Sequence, residues 1–260
     1  MNKLIFKTEY LNSLLPTILL LLILMIWELL VEIKEIPSYI LPAPTFIFKT
    51  LINDWSILFP SMINTLEIAL VGFVLAGFGG IALALFLSYS KNLQNAFLPL
   101  AVILQVTPII AISPLIIIYV ESTYIALLIC VWLVAFFPVL TNAIFGLNTI
   151  NTELIDLFRL YNATKFKTLL YLRIPSAIPS MVSGLKISAG LSLIGAIVAE
   201  FAAGSGGSNS GLAFRILEAG YRLNISRMFA CLILLAIIGI IFHKSLEIIS
   251  QLLLKKWNNF

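Results

Sequence analysis

The chain has 260 residues, of which 61% are hydrophobic and 11% charged, against about 45–50% and about 25% in soluble proteins. Sixteen bases and twelve acids cannot cover the surface of a soluble protein of this size. A soluble enzyme, a disordered chain and a disulfide-stapled secreted domain are therefore excluded. The net charge of +4 comes from scattered bases without a basic stripe, so we expect no nucleic-acid partner. The solvent of this chain must be the lipid bilayer.

Long apolar stretches predict six transmembrane helices, because about 20 helical residues cross a bilayer core about 30 Å thick. The predicted spans cover residues 10–27, 68–90, 92–120, 122–152, 181–203 and 227–249. The first stretch is too long for the core of a signal peptide, and no small-residue cleavage site precedes Trp27. We interpret it as a retained N-terminal helix over residues 10–33. The expected fold class is all-α, a polytopic membrane protein.

The distribution of Lys and Arg predicts the orientation in the membrane. With the N-terminus inside, eleven of the sixteen bases lie on the inner side, where such residues are in excess. Both termini are therefore expected in the cytoplasm. We find no internal repeat and no compositional break, so residues 1–260 are predicted to form one domain, with a core over 61–250.

Three connections are longer than a turn. Closely spaced prolines open the outer loop from Lys34 to Pro60 and predict an extended, turn-rich path. The outer loop from Gly204 to Arg227 opens with the run GSGGSNSG. The inner loop over residues 148–179 is the one sizeable polar feature on the cytoplasmic side.

Residues for chemistry are scarce. His243 is the only histidine and stands at the inner end of the last predicted helix, and no G-x-x-x-x-G-K-[ST] phosphate-binding loop occurs. Cys130 and Cys231 lie in apolar runs, which is typical of packing residues. We therefore predict no catalytic residue, no metal site and no cofactor.

A few residues inside the predicted spans are candidates for a translocation pathway. Glu200 lies near the outer end of the fifth helix, where it either lines a solute path or contacts loop amides. Pro108 and Pro114, like Pro138, interrupt helical hydrogen bonding and indicate a shaped interior. Glu67 starts the second helix and is more typical of an interfacial residue.

The inner loop predicts two short helices, around 153–160 and 164–172, with a reversal at Asn162, since Asn tolerates the left-handed conformation. The second helix would carry Phe166, Leu169 and Leu170 on one face, beside Lys165. One interpretation is an amphipathic helix lying on lipid headgroups. The more specific interpretation is a docking helix whose apolar side chains enter a groove on a soluble partner.

This loop resembles the EAA loop of the membrane permease subunits of binding-protein-dependent ATP-binding-cassette (ABC) importers. That signature begins with E-A-A, has a glycine four positions after the last alanine and ends in Ile/Leu-Pro. Here those positions hold Asp156-Leu157-Phe158, Asn162 and Ile174-Pro175. The acidic residue becomes Asp, bulky residues replace the alanines and Asn replaces Gly, while the spacing is kept.

The resemblance extends from about Leu41 to the C-terminus, through the LPAP run at 41–44 and AEFAAGSGGSNSGLAFRI at 199–216. It is closest to the branch that handles nitrate, sulfonates, taurine and vitamin precursors. Within it, the last stretch is most similar to permeases for thiamine-pyrimidine precursors or riboflavin. The solute is thus expected to be a small polar molecule.

The resemblance implies the type I importer permease fold, a five-helix core preceded by an N-terminal helix, in a bacterial inner membrane. It implies a second permease subunit, expected to be a second copy, two cytoplasmic ATPase subunits and an extracytoplasmic solute-binding protein. Coupling to the ATPase would involve the following residues: Asp156, Arg159, Asn162, Lys165, Phe166, Leu169, Leu170 and Pro175. This chain would form the channel and perform no chemistry.

Two other functions stay open at this point. The first is a secondary transporter driven by an ion gradient, which the absence of inverted repeats and the few intramembrane titratable groups disfavour. The second is a structural membrane subunit without a solute pathway.

Overall fold

The structure is a computed structural model that describes residues 2–204 and 210–255, with side chains from Leu15 onward. The described residues form helices and no strands. In chain order the α-helices are α1 (Asn2–Ile33), α2 (Pro44–Asn53), α3 (Trp55–Leu87), α4 (Lys91–Val106), α5 (Ile109–Tyr119), α6 (Thr123–Asn148), α7 (Thr152–Leu160), α8 (Lys165–Thr168), α9 (Ile174–Ala203), α10 (Leu212–Tyr221) and α11 (Ile225–Leu254). A π-helical turn, Leu169–Arg173, joins α8 to α9.

Five helical stretches are long and apolar enough to cross a membrane: Leu15–Ile33, Trp55–Leu87, Thr123–Asn148, Lys165–Ala203 and Ile225–Leu254. The third predicted span is divided into α4 and α5, which bend by 94° at a two-residue break. Counted as one crossing, this pair makes six spans in the described chain. The all-α membrane fold predicted from composition is confirmed.

Local side-chain caps explain where several helices begin. The side chains of Ser90, Ser122, Asn151 and Thr164 each accept a hydrogen bond from a backbone N–H in the first turn of α4, α6, α7 and α8. Such caps satisfy N–H groups that have no partner inside the helix. At the other end of α9, Gly204 adopts a left-handed conformation with φ of 53°, which glycine accepts without a steric penalty.

The outer loops correct the sequence-based prediction. Only residues 34–43 of the first outer loop follow the expected extended path, because α2 begins at Pro44 and α3 at Trp55. Proline favours the first turn of a helix, where its missing N–H costs no hydrogen bond. In the second outer loop, residues 212–221 form α10, while residues 205–209 of the Gly-Ser run lie outside the described residues.

The prolines within the spans have different effects. Pro108 stands at the break between α4 and α5, as expected for a residue that interrupts the hydrogen-bond ladder. Pro114 and Pro138 lie inside α5 and α6, which continue through them. At each of these two positions proline removes one hydrogen bond from the ladder, but the helix does not end there.

The chain forms two compact units, each described by itself. One comprises Met1–Phe59 and Arg215–Leu234, and the other comprises Pro60–Phe214 and Leu235–Phe260. In the first unit Arg227 Nε lies 2.6 Å from Asp54 Oδ2, with both side chains mostly shielded from solvent. The rings of Trp27 and Phe229 pack 5.5 Å apart in the same unit.

Charges on α10 also belong to the first unit. Glu218 pairs with Arg215 at 2.8 Å and with Arg222 at 2.9 Å. The hydrogen bond from Arg215 is the main reason why the pKa of Glu218 is lowered. The ionised Glu218 side chain therefore stabilises the fold fully above the ordinary glutamate pKa of about 4.3. This stabilisation is lost as the pH falls through the lower pKa that Glu218 has in the folded protein.

The centre of the second unit is the antiparallel pair α6 and α9, against which α5 also packs. Small residues allow this close approach. A Cβ atom at Gly184 of α9 would lie 2.9 Å from the Pro138 carbonyl oxygen of α6. On α3, Ala76, Gly80 and Ala84 are buried, and a Cβ at Gly80 would lie 2.9 Å from the Cβ of Val139. These three small residues thus form a helix-packing surface on α3.

Candidate functional site

We define residues 151–175 as the coupling segment, because they contain the positions that resemble the EAA loop. The Asn151 side chain accepts a hydrogen bond from the Glu153 N–H at 3.0 Å and starts α7. After α7 the chain reverses at Asn162, whose φ is 51°. The N–H groups of Asn162 and Ala163 bind the carbonyls of Arg159 and Phe158. The left-handed turn predicted at Asn162 is confirmed.

The second half of the segment differs from the expected short helix over 164–172. The helix α8 has four residues, and the π-helical turn continues it into α9 without a break, so residues 165–203 form one continuous helical stretch. Pro175 lies in the first turn of α9 and does not separate the segment from the span. Turns of this kind are frequent at functional sites.

The two sides of this stretch differ in exposure. Phe166 is 60% exposed and Leu170 43% exposed, and they share one face because they are four positions apart. Leu169 is only 8% exposed and belongs to the buried core that includes Leu140 and Leu147. The expectation that Leu169 stands beside Phe166 on the free face was therefore wrong. The π-helical turn begins at Leu169 and directs that side chain into the bundle.

Three charged side chains of the segment are exposed. Asp156 and Arg159 pair at 3.0 Å with side chains 64% and 78% exposed. An exposed pair one helical turn apart contributes about 0–1 kcal/mol to stability, so it leaves both groups available to a partner. Lys165 is exposed at the start of α8.

A cavity of about 620 Å³ lies where the coupling segment meets the ends of α3, α4 and α6. Its lining includes four bases, Lys91, Arg159, Lys165 and Arg173, and no Asp or Glu. Sequence reasoning missed this arrangement because Lys91 is more than sixty positions from the other three bases. The only available signal was that all four had been assigned to the same side of the membrane.

The other candidate residue, Glu200, is 3% exposed near the end of α9. Its Oε2 accepts hydrogen bonds from the Ala213 N–H at 3.0 Å and from the Thr65 hydroxyl at 3.1 Å. Thr65 in turn accepts from the Leu212 N–H at 2.8 Å. These contacts attach the first residues of α10 to α3 and α9. The sequence analysis did not single out Thr65 for this role.

Two further observations define the Glu200 site. A Cβ atom at Gly211 would overlap the Glu200 carboxyl group, so the close approach requires glycine there. Oε1 of Glu200 has no hydrogen-bond partner among the described residues. The Glu200 carboxyl group thus contacts the backbone amide of Ala213 in α10 and the Thr65 hydroxyl, and its Oε1 keeps no partner within the described part of the chain.

The remaining candidates lie on other parts of the second unit. Pro108 and Pro114 are exposed at the start and in the middle of α5. Glu67 accepts a hydrogen bond from the Tyr124 hydroxyl at 3.1 Å. Within residues 2–204 and 210–255, no three His, Cys, Asp or Glu side chains are grouped as metal ligands would be.

Comparison with known proteins identifies the family. Residues 76–257 match the family described as the binding-protein-dependent transport system inner membrane component. The chain belongs to this family of ABC importer permeases. The permease is therefore a multi-pass inner-membrane protein and a non-enzymatic component of a transporter.

Relatives match the permease over most of its length. A probable ABC transporter permease protein of Haemophilus influenzae is 31% identical over 89% of this chain and 93% of its own. The formylaminopyrimidine transport permease protein ThiX of Halalkalibacterium halodurans is 29% identical over 95% of this chain and 97% of its own. The riboflavin transport system permease protein RibX of Chloroflexus aurantiacus is 28% identical over 91% of this chain and 87% of its own.

A solved structure supports the fold. The inward-facing methionine ABC transporter MetNI contains a chain that matches 76% of the permease and 96% of its own length, with a TM-score of 0.61 and 18% identity. This similarity confirms the type I permease fold expected from the sequence.

Proposed function

We propose that the permease forms the solute pathway of an ATP-driven importer and receives the motion of a separate ATPase through the coupling segment. The observation that carries this proposal is the exposed apolar face formed by Phe166 and Leu170. Phe166 and Leu170 lie at the end of the Lys165–Ala203 stretch that joins the polar inner loop, where large exposed apolar side chains are typical of a docking surface. The continuous helix over residues 165–203 would transmit a displacement of this face into the bundle.

The partners follow from the same proposal. Two copies of the permease would pair in the membrane over two ATPase subunits on the cytoplasmic side, and an extracytoplasmic binding protein would deliver the solute. Asp156, Arg159 and Lys165 would contact the rim of the ATPase groove. Asn162 would set the direction in which the chain enters the docking helix, and Pro175 would lie where that helix continues into α9.

Co-purification of the ATPase tests the docking surface. Phe166→Ala should weaken recovery of the ATPase, because burying a Phe side chain contributes about 1.5–3 kcal/mol, which corresponds to a loss of about 10- to 100-fold in affinity per site. Phe48→Ala is the matched control, since Phe48 is 64% exposed on α2. Equal recovery of the ATPase by both variants and by wild type would contradict the docking role of Phe166.

Transport measurements distinguish this function from a secondary transporter. Proteoliposomes that contain the permease, its ATPase and its binding protein should transport solute only when ATP is supplied on the side of the membrane where the ATPase lies. Uptake by the permease alone under an ion gradient would contradict the proposal. We expect a separate ATPase because the chain has the coupling segment but lacks a phosphate-binding loop of its own.

We propose a small polar solute, with formylaminopyrimidine as the first compound to test. The support is the similarity to ThiX, which covers nearly the full length of both chains. Relatives named for riboflavin, aliphatic sulfonates and nitrate supply the comparison set. Binding of these compounds to the cognate binding protein, followed by uptake assays, tests the assignment. Uptake of a sulfonate or nitrate in preference to the pyrimidine would contradict it.

The pathway is proposed to pass the bent pair α4–α5 and the Glu200 site. Cysteine in place of Pro114 should react with a small water-soluble thiol reagent, whereas cysteine in place of Leu19 on α1 should not. Glu200→Ala should reduce uptake and leave ATPase recovery unchanged, because Glu200 joins α9 to α10 outside the coupling segment. Equal labelling of both cysteines would remove α5 from the pathway.

A further inference from the structure

The basic cavity beside the coupling segment has the position of a lipid phosphate site. It lies just beyond the end of α3 at Leu87 and of α6 at Asn148, and beside the start of α9 at Ile174. The ends of membrane-spanning helices lie near the level of the lipid headgroups. The lining of the cavity therefore meets the phosphate layer and the aqueous phase together.

The charge of the cavity is uncompensated. Arg159 pairs with Asp156, which is outside the lining. The other three bases, Lys91, Lys165 and Arg173, form no salt bridge with any carboxylate in the described part of the chain. Three cations that converge from α4, α8 and the π-helical turn repel one another unless an anion enters.

The remaining lining suits an amphipathic ligand. Leu147 and Leu169 are buried apolar side chains, whereas the Gln94 amide and the Thr168 hydroxyl supply polar atoms. Lysine and arginine form strong charge-assisted hydrogen bonds with phosphate oxygens. Basic pockets between membrane helices on the cytoplasmic side are known to bind anionic headgroups.

We propose that this cavity binds a phosphate-bearing anion, and that its occupant is the headgroup of an anionic phospholipid from the adjacent leaflet. The bound phosphate joins Lys91 of α4 to Lys165 and Arg173 of the coupling segment. It thereby holds the start of the docking helix against the ends of the spans. Only the assignment to the cytoplasmic leaflet rests on the proposed function, since lipid binding itself requires no ATPase.

Native mass spectrometry of the purified full-length permease tests the site. Wild-type protein should retain phosphatidylglycerol in preference to phosphatidylcholine. The double variant Lys91→Gln/Arg173→Gln should lower that retention at least about tenfold, because two charge-assisted contacts are lost. Lys167→Gln is the matched control, since Lys167 is exposed on α8 and does not line the cavity. It should retain phosphatidylglycerol as wild type does.

Additional arms identify the source of the anion and guard against misfolding. If excess inorganic phosphate fails to displace phosphatidylglycerol, the result supports a lipid as the occupant. Complete displacement by phosphate would instead assign the site to a soluble anion and overturn the proposal. The single variant Lys91→Gln changes an exposed side chain and should fold normally with an intermediate loss of lipid. Lys91→Arg/Arg173→Lys keeps both charges and should restore retention.

The outcomes that overturn the proposal are distinct from a failure of ATPase docking. Equal phosphatidylglycerol retention by wild type, the double variant and Lys167→Gln would exclude the site. Equal retention of phosphatidylcholine would exclude recognition of charge. Loss of ATPase recovery in Lys91→Gln/Arg173→Gln without a change in lipid binding would reassign the cavity to a protein contact. A Phe166→Ala variant that loses the ATPase and keeps its lipid would leave the proposal intact.

Discussion

The backbone conformation of Asn162 restricts which residue can occupy that position of the coupling segment. Its φ of 51° is a left-handed conformation that few residue types accept. Replacing it with Gly should preserve the turn, because glycine adopts this conformation without strain. Asn162→Val should strain the turn by about 1–2 kcal/mol and misdirect α8. ATPase recovery by the two variants checks this prediction. Similar recovery by Asn162→Val and Asn162→Gly would show that the left-handed turn is dispensable for docking.

Thr65 has a larger structural role than its size suggests, because one hydroxyl contacts both Glu200 and the Leu212 N–H. Thr65→Val should lower the free energy of unfolding by about 1–3 kcal/mol, since it leaves buried polar groups unsatisfied. Thr141→Val is the control, because that hydroxyl binds only carbonyls of its own helix among the described residues. Thermal unfolding in detergent measures both. A smaller effect at position 65 than at 141 would contradict the bridging role.

At the scale of elements, the packing of α6 against α9 depends on glycine at position 184. Gly184→Ala should destabilise the protein by about 1–3 kcal/mol, because the new Cβ collides with the backbone of α6. Gly190→Ala on the same helix meets no atom within 4 Å and should be neutral or stabilising by up to about 1 kcal/mol through helix propensity. Unfolding midpoints of the two variants provide the comparison. A lower unfolding midpoint for Gly190→Ala than for Gly184→Ala would show that α6 and α9 can move apart at little cost.

The π-helical turn gives the coupling segment one buried face and one exposed face. Leu169 is part of the core, while Phe166 and Leu170 remain exposed. A docking surface connected to the span in this way can transmit force without an intervening loop. We therefore expect Leu169→Ala to lower stability by about 2–5 kcal/mol, as core truncations do. Phe166→Ala should lower ATPase recovery with little loss of stability. Equal unfolding midpoints for the two variants would contradict this division of roles.

At the scale of the whole molecule, the orientation predicted from basic residues is open to direct test. Cys130 and Cys231 are fully buried, so cysteines introduced elsewhere report accessibility. Lys167→Cys should react with a membrane-impermeant reagent only from the cytoplasmic side, and Lys49→Cys only from the opposite side. Labelling of intact cells and of inverted vesicles measures this. Labelling of both positions from the same side would exclude the predicted topology.

The existence of long apolar spans and the turn at Asn162 were determined by the sequence alone. Both depend on local properties: the apolar length that a bilayer requires and the backbone preference of one residue. Hydropathy located the third span but not its 94° bend, because α4 and α5 are together long and apolar enough for one crossing and hydropathy does not report the direction of the backbone. The helical start at Pro44 was misread for a similar reason, since proline suits both an extended segment and the first turn of a helix.

Only the tertiary structure decided which side chains meet. The contact between Glu200 and Thr65 joins residues 135 positions apart, and the basic cavity joins Lys91 to the coupling segment. Leu169 belongs to the core because a widened turn directs it there, which its apolar character alone could not distinguish from exposure beside Phe166. Spacing along the chain specifies the face of a single helix. The face that becomes buried is chosen by the helices that pack against it.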